Sequence, residues 1–148
     1  LKLAEQLKKE NVCILVAGYY DKNIQIPSNM VMLGRLDNQD TLAQYYSMAD
    51  ITILTSERET FSMVVAESLC CGTPVVGFQS GGPESIALPE YSEFVEHGNV
   101  VDLKKAVLHM LSQKIERADI AKTAGNVYSG ERMVREYMRI YEELIEEK

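Results

Sequence analysis

The chain has 148 residues and 16.7 kDa, a length suited to one domain. Its composition is 46% hydrophobic, 25% charged and 7% aromatic, which argues against wholesale disorder and against a disulfide-stapled miniature scaffold. Fifteen basic against 22 acidic residues leave −7, a surface that disfavours nucleic acid and anionic lipid but leaves a local site for a small anion open.

In chain order, Leu1, Ala4 and Leu7 recur at helical spacing. Val12 to Ala17 is a continuous apolar run closed by Gly18, the pattern of a strand buried on both faces of a parallel sheet. Met30 to Leu33 reads as a second strand, closed by Gly34. Asn38 is placed to cap a helix with Leu42, Tyr45, Tyr46 and Ala49 on one side, and Ile51 to Leu54 is the third strand. The apolar stretch from Val64 to Phe78 is broken by Glu67, Gly72 and Pro74, so it fits a helix over 61–71 and a strand over 75–78, not a membrane span. Glu93 to Val95 is a candidate edge strand. Asn99 and Asp102 resemble a cap ahead of Leu103, Val107 and Met110. The tail from Glu131 sets Met133, Tyr137, Ile140, Tyr141 and Leu144 on one stripe expected to be core, while Glu142, Glu143, Glu146 and Glu147 form a solvated acidic end.

This alternation predicts an α/β chain with a right-handed, doubly wound, mostly parallel sheet and helices on both faces. Residues 1–148 form one domain. Ligands of such sheets sit beyond the carboxyl ends of the strands, which nominates the loops 18–23, 34–38, 55–62 and 79–84. Cys13, Cys70 and Cys71 are expected to be small buried residues in a reducing, cytoplasmic compartment. The chain opens inside a helical pattern without an initiating Met, and is expected to be a piece of a larger protein.

The 55–62 loop runs straight into the apolar helix, whose first amides carry the positive end of its dipole and suit a phosphate. Glu67 is costly inside that helix unless it meets hydrogen-bond donors. It lies about 7 Å along the axis from Ser62, at ~1.5 Å per residue, a distance that suits a ribose beside a bound phosphate. The alternative is a carboxylate that reaches solvent or caps a neighbouring backbone. Gly81-Gly82 permits close backbone approach, and serves a tight strand-to-helix turn equally well. Pro83 suits a helix start, and Glu84 a first-turn charge. His97 and His109 have no ligand partner at metal spacing, and neither a phosphate loop, a dinucleotide loop nor a nucleophile elbow is present. Tyr19-Tyr20 and Tyr45-Tyr46 read as packing or rim residues before stacking platforms.

Taken together, Ala49-Asp50-Ile-Thr-Ile-Leu-Thr-Ser56, Glu59-Thr-Phe-Ser-Met-Val-Val-Ala-Glu67, Cys71-Gly-Thr-Pro-Val-Val76 and Gly81-Gly-Pro-Glu84 resemble the C-terminal domain of family 4 glycosyltransferases, from the first helix to the last. These are retaining enzymes of the GT-B fold, with two Rossmann-like halves, and Glu59 and Glu67 match the family's E-x7-E motif. The resemblance implies a nucleotide-sugar donor domain whose parent moves a hexose from a UDP- or GDP-sugar to a glycan, lipid or small acceptor, as in polysaccharide biosynthesis. By position, Glu59 would contact the donor sugar, bordered by Gly81 and Gly82. Phe61, Ser62 and Met63 would offer amides to the diphosphate, Glu67 would hold the ribose, and Gly34, Arg35 and Leu36 would border the nucleobase, Arg35 as a wall or stacking partner. No catalytic residue is assigned, and no metal or other cofactor is implied.

Two departures stand out. Ser62 replaces the glycine of the usual E-P-F-G start. The first strand, with the family's basic pair for the diphosphate, belongs upstream of Leu1, as does the acceptor domain, so the fragment alone is expected to be inactive. Membrane association of the parent, through the other half, stays open. A sugar-nucleotide epimerase of related fold and a non-catalytic module that kept the fold are the alternatives.

Overall fold

The structure is a computed structural model that describes residues 1–21 and 23–146. Lys22 in the first nominated loop and Glu147 of the acidic end lie outside the described residues. Five strands, β1 (Ile14–Ala17), β2 (Met30–Gly34), β3 (Thr52–Leu54), β4 (Val75–Phe78) and β5 (Ser92–Val95), alternate with seven α-helices. These are α1 (Lys2–Leu7), α2 (Gln39–Met48), α3 (Met63–Cys70), α4 (Gly82–Ile86), α5 (Val100–Ser112), α6 (Arg117–Val127) and α7 (Gly130–Glu146). Every strand pair is parallel, with helices on both sides, as the alternation predicts.

The pairing divides the strands into a two-stranded β1–β2 ladder and a three-stranded β3–β4–β5 ladder. β4, the centre of the second, is buried along its whole length, so its side chains serve two cores. Val76 and Phe78 face a cluster with Leu3 and Leu7 of α1 and Leu103, Val107 and Met110 of α5, and Ile14 and Ile53 pack against that cluster. Val75 faces the other, with Leu54, Val65 and Leu69 of α3 and Ile120 and Ala124 of α6. Because Ile14 and Ile53 share a core, the two ladders belong to one layered body. Each fully buried Val or Leu contributes about 1.5–3 kcal/mol, so these clusters dominate the stability.

Three expectations fail. β1 is not covered on both faces: its burial alternates, and Leu15 and its register partner Val31 stand exposed together, 38% and 46% accessible. The apolar run reports a strand, whereas α1 and α5 cover only one side of it. Cys13 and Cys70 are exposed and Cys71 is half-buried, all three free. Cys13 lies just ahead of that alternating strand, and Cys70 is the last residue of α3. The stripe on α7 is not core either: no residue of α7 is buried, and Tyr137, Tyr141 and Leu144 are more than half accessible. An amphipathic period forms the helix but does not supply a face for it to meet.

Local signals are borne out. Asn38 Oδ1 accepts from the Thr41 amide at 2.8 Å and Asn99 Oδ1 from that of Asp102 at 3.1 Å, each capping its helix. α2 then carries the chain across from the β1–β2 ladder to β3.

Candidate functional site

The four nominated loops meet as two stitched pairs. On the β1–β2 side, the Gly18 amide donates to the Gly34 carbonyl at 2.8 Å, and Arg35 Nη1 donates to the Tyr19 hydroxyl at 3.2 Å. Gly34 takes a φ of +74°, turning the chain outward at the strand end. Arg35 also forms an exposed ion pair with Asp37, and the hydrogen bonds to Tyr19 and then to Asp37 raise the guanidinium above its ordinary value. Tyr19 is 85% accessible, a rim position. Leu36 is half-buried.

On the other side, Glu59 and Gly81 form a parallel bridge. The Glu59 amide donates to the Ser80 carbonyl at 3.0 Å, and the Gly82 amide to the Glu59 carbonyl at 2.8 Å. Glu84 closes the second loop from within, accepting from the amides of Ser80 at 3.0 Å and Gly81 at 2.8 Å. Its burial alone would raise the carboxyl, but the backbone donors of Ser80, Glu84 and Gly81 outweigh it and hold it below its ordinary value. Glu84 is therefore a capping group as well as a first-turn charge.

This bridge sets the start of α3 beside Gly81 and Gly82. Ser62, the residue ahead of α3, sits at φ +73° and makes no side-chain cap, so the first amides of the helix are not closed off by it. Phe61 and Met63, on either side, are half or more accessible, whereas Ser62 is buried. Five shielded side-chain oxygens find no partner among the described residues, and three of them, Glu59 Oε2, Ser62 Oγ and Ser80 Oγ, belong to these two loops. A native fold rarely leaves such atoms unpaired, and three of the five fall in these two loops.

The left-handed backbone of Ser62 makes a prediction. Ser62→Gly removes a strained φ and an orphaned hydroxyl, and should stabilise the unliganded chain by about 1 kcal/mol, roughly 2–4 °C in a thermal melt. A lower melting temperature would show that the hydroxyl has a partner within the fold.

Glu67, half-buried in the second turn of α3, meets the donor its position demands: the Tyr46 hydroxyl of α2 donates to Glu67 Oε2 at 3.2 Å. Among the described residues it caps no neighbouring backbone. The structure thus joins Glu59 to Gly81 and Gly82, sets these beside Phe61, Ser62 and Met63, and reaches Glu67 through α3. Gly34, Arg35 and Leu36 stand on the other ladder. Tyr46, Ser80 and the capping role of Glu84 went unseen in the sequence. The signal for Tyr46 was a tyrosine within an apolar stripe, which only a neighbouring carboxylate distinguishes from packing.

Two clefts lie elsewhere. One of about 360 Å³ is lined by Ser92, Glu93, His109 and Gln113, and one of about 210 Å³ by Asp50, Pro74 and Arg117. They flank the amino ends of β3, β4 and β5, opposite the four loops, which form an open rim. Among the described residues no group of three or more His, Cys, Asp or Glu side chains is arranged to hold a metal ion, and no helix is long and apolar enough to cross a membrane.

Comparison with known proteins puts this geometry in a context. The family described as glycosyl transferases group 1 matches residues 1–127. N-acetyl-alpha-D-glucosaminyl L-malate synthase of Bacillus anthracis is 29% identical over 129 residues, 84% of this chain and 33% of that protein. A glycosyltransferase of Rickettsia africae superposes with a TM-score of 0.77 at 20% identity, over 99% of this chain and 44% of the other. Anabaena HepE, solved in complex with UDP and glucose, superposes with a TM-score of 0.71 at 17% identity, over 93% of this chain and 43% of the other. The chain therefore spans about a third of the length of the curated relative and less than half that of the solved structures.

Proposed function

We propose, from the premise that the chain belongs to the glycosyl transferases group 1 family, that it is the nucleotide-sugar donor half of a retaining, family 4 hexosyltransferase. The observation that carries the reading is that three oxygens without a partner, from Glu59, Ser62 and Ser80, belong to the two bridged loops that lead into the uncapped start of α3. Sugar hydroxyls and phosphate oxygens are the groups that such a place satisfies.

In this reading the diphosphate lies at the amides of Phe61, Ser62 and Met63, with the helix dipole behind them. As the bond to the anomeric carbon breaks, charge gathers on the departing diphosphate, and fixed amides stabilise it without reorganising. Basic groups from the rest of the protein complete that clamp, and the reading calls for no metal. Glu59, bridged to Gly81, holds the sugar hydroxyls, Gly82 backs that loop, and Glu67 holds the ribose. Gly34, Arg35 and Leu36 border the base, and UDP is favoured over GDP by the UDP-bound neighbour. The acceptor, a glycan, lipid or small molecule, is held by the other half, and the reaction is cytoplasmic, with the other half free to attach peripherally to the membrane.

Ligand-observed NMR on this chain and on its longer parent, with UDP, GDP, NAD and UDP-glucose, tests the reading. A single nucleoside diphosphate should bind, and Glu67→Ala should weaken it roughly tenfold by removing a charged hydrogen-bond acceptor. Absence of binding by the parent would sink the donor-site reading. Conversion of UDP-glucose to an epimer without acceptor would instead identify an epimerase.

A further inference from the structure

The Tyr46–Glu67 contact does more than satisfy a carboxylate. The base-side loops belong to the β1–β2 ladder and the phosphate-side loops to the β3–β4–β5 ladder, and no strand pairing joins the two among the described residues. α2 follows the first and α3 the second, so the hydrogen bond from the Tyr46 hydroxyl to Glu67 ties a helix of one ladder to a helix of the other. We propose that Tyr46 is a positioning residue, which sets the Glu67 carboxylate for the cis-diol of a nucleotide ribose. The proposal rests on the donor-site reading above.

Its backbone is anchored for that task. The Tyr46 carbonyl accepts from Thr73 Oγ1 at 2.6 Å and from Arg117 Nη2 at 3.4 Å, and Thr73 is wholly buried. Side chains on a helix lean toward its N-terminus. Tyr46, near the C-terminal end of α2, therefore leans back toward the carboxyl ends of the strands, where the loops stand. A tyrosine has two side-chain torsions, so holding it there costs little conformational entropy.

The chemistry fits the role. A carboxylate offers about four lone-pair sites, and one phenol hydroxyl occupies one of them on Oε2. Oε1 and the remaining site on Oε2 are left for two ribose hydroxyls. A phenol is a neutral donor, so it orients the carboxylate without cancelling the charge that makes it a strong acceptor. Burial and then the neighbouring Glu67 raise the phenol far above its ordinary value, so it remains a donor across the physiological range.

Tyr46→Phe removes one oxygen and keeps the ring. In the full-length protein, calorimetric titration with UDP and GDP first identifies the nucleotide that wild type binds, and its 2′,3′-dideoxy counterpart is titrated beside it. Tyr46→Phe should weaken the ribonucleotide roughly three- to tenfold and leave the dideoxynucleotide within about twofold of wild type. The KM for the donor should rise with kcat unchanged, and Tyr46→Phe should add nothing in a Glu67→Gln background. Equal losses for both nucleotides, no loss for either, or additive effects of the two substitutions would overturn the proposal while the donor-site reading stands. A wild type that binds neither UDP nor GDP would overturn both.

Discussion

Gly82→Ala should lower the melting temperature by roughly 10 °C, from a cost of about 3 kcal/mol, and should abolish the nucleotide binding proposed above. A Cβ at this position would lie 2.4 Å from the Thr60 carbonyl carbon and 2.5 Å from the Phe61 nitrogen. Those atoms are backbone, in the turn that leads into α3, and cannot swing aside as a side chain can. The loops must part instead, and the bond from the Gly82 amide to the Glu59 carbonyl goes with them. The glycine pair thus earns its place in two different ways. Gly81 needs its φ of +108°, while its Cβ would meet only the Glu59 oxygen at 3.2 Å. Gly82 needs the absence of a side chain, so that one loop can support the other. Gly81→Ala should therefore keep the loops together at a cost of about 1 kcal/mol. Gly125→Ala, in the open on α6, serves as the control and should raise the melting temperature by roughly 2 °C. A Gly82→Ala protein that melts and binds like wild type would show that the two loops are not packed as described.

The sequence carried those parts of the fold that depend on neighbours in the chain. β4 was legible because four residues from Val75 follow a glycine and a proline, and the two Asn caps because the partner amide is three residues away. The E-x7-E spacing was legible for the same reason. Pairing between strands was not: the order of the ladders depends on which edges meet in space. α7 has the strongest stripe in the chain and buries none of it, since a period states which face is apolar and nothing of what lies opposite. α6 was missed outright. Its sequence, Arg-Ala-Asp-Ile-Ala-Lys-Thr-Ala-Gly-Asn-Val, is polar and small, and only Ile120 and Ala124 are buried. Its first residue proves to be a main support of the end of α2, acting across about seventy positions of chain.

That residue, Arg117, carries the other large expected effect. Its guanidinium donates to the carbonyls of Ala49 at 2.8 Å and Ser47 at 2.7 Å, more weakly to Tyr46 at 3.4 Å, and to Thr73 Oγ1 at 2.6 Å. Tyr46 and Ser47 lie in the last turn of α2, where the dipole is negative; the Tyr46 carbonyl already accepts from the Ala49 amide at 3.2 Å, and the guanidinium fork adds donors for Ser47 and Ala49. Arg117→Met keeps the apolar stem but takes the donor from the Ala49 and Ser47 carbonyls and from Thr73 Oγ1, and should cost about 3 kcal/mol, or roughly 6–12 °C in a thermal melt. Arg117→Lys should recover little of this, because an ammonium is a point charge and cannot span four acceptors as a planar fork does. Lys105→Ala, by contrast, breaks an ion pair whose lysine is 73% accessible and should leave the melting temperature nearly unchanged. The loss at Arg117 should also reach the ligand, because Thr73 Oγ1, which Arg117 holds at 2.6 Å, is the group that fixes the Tyr46 carbonyl, and the Tyr46 hydroxyl is what meets Glu67. Arg117→Met should therefore weaken nucleotide binding several-fold at temperatures where the variant is still fully folded. A variant that melts within about 1 °C of wild type would refute the bracing role. A variant that is destabilised but binds normally would show that the brace ends at the backbone of α2 and does not extend to the tyrosine ring.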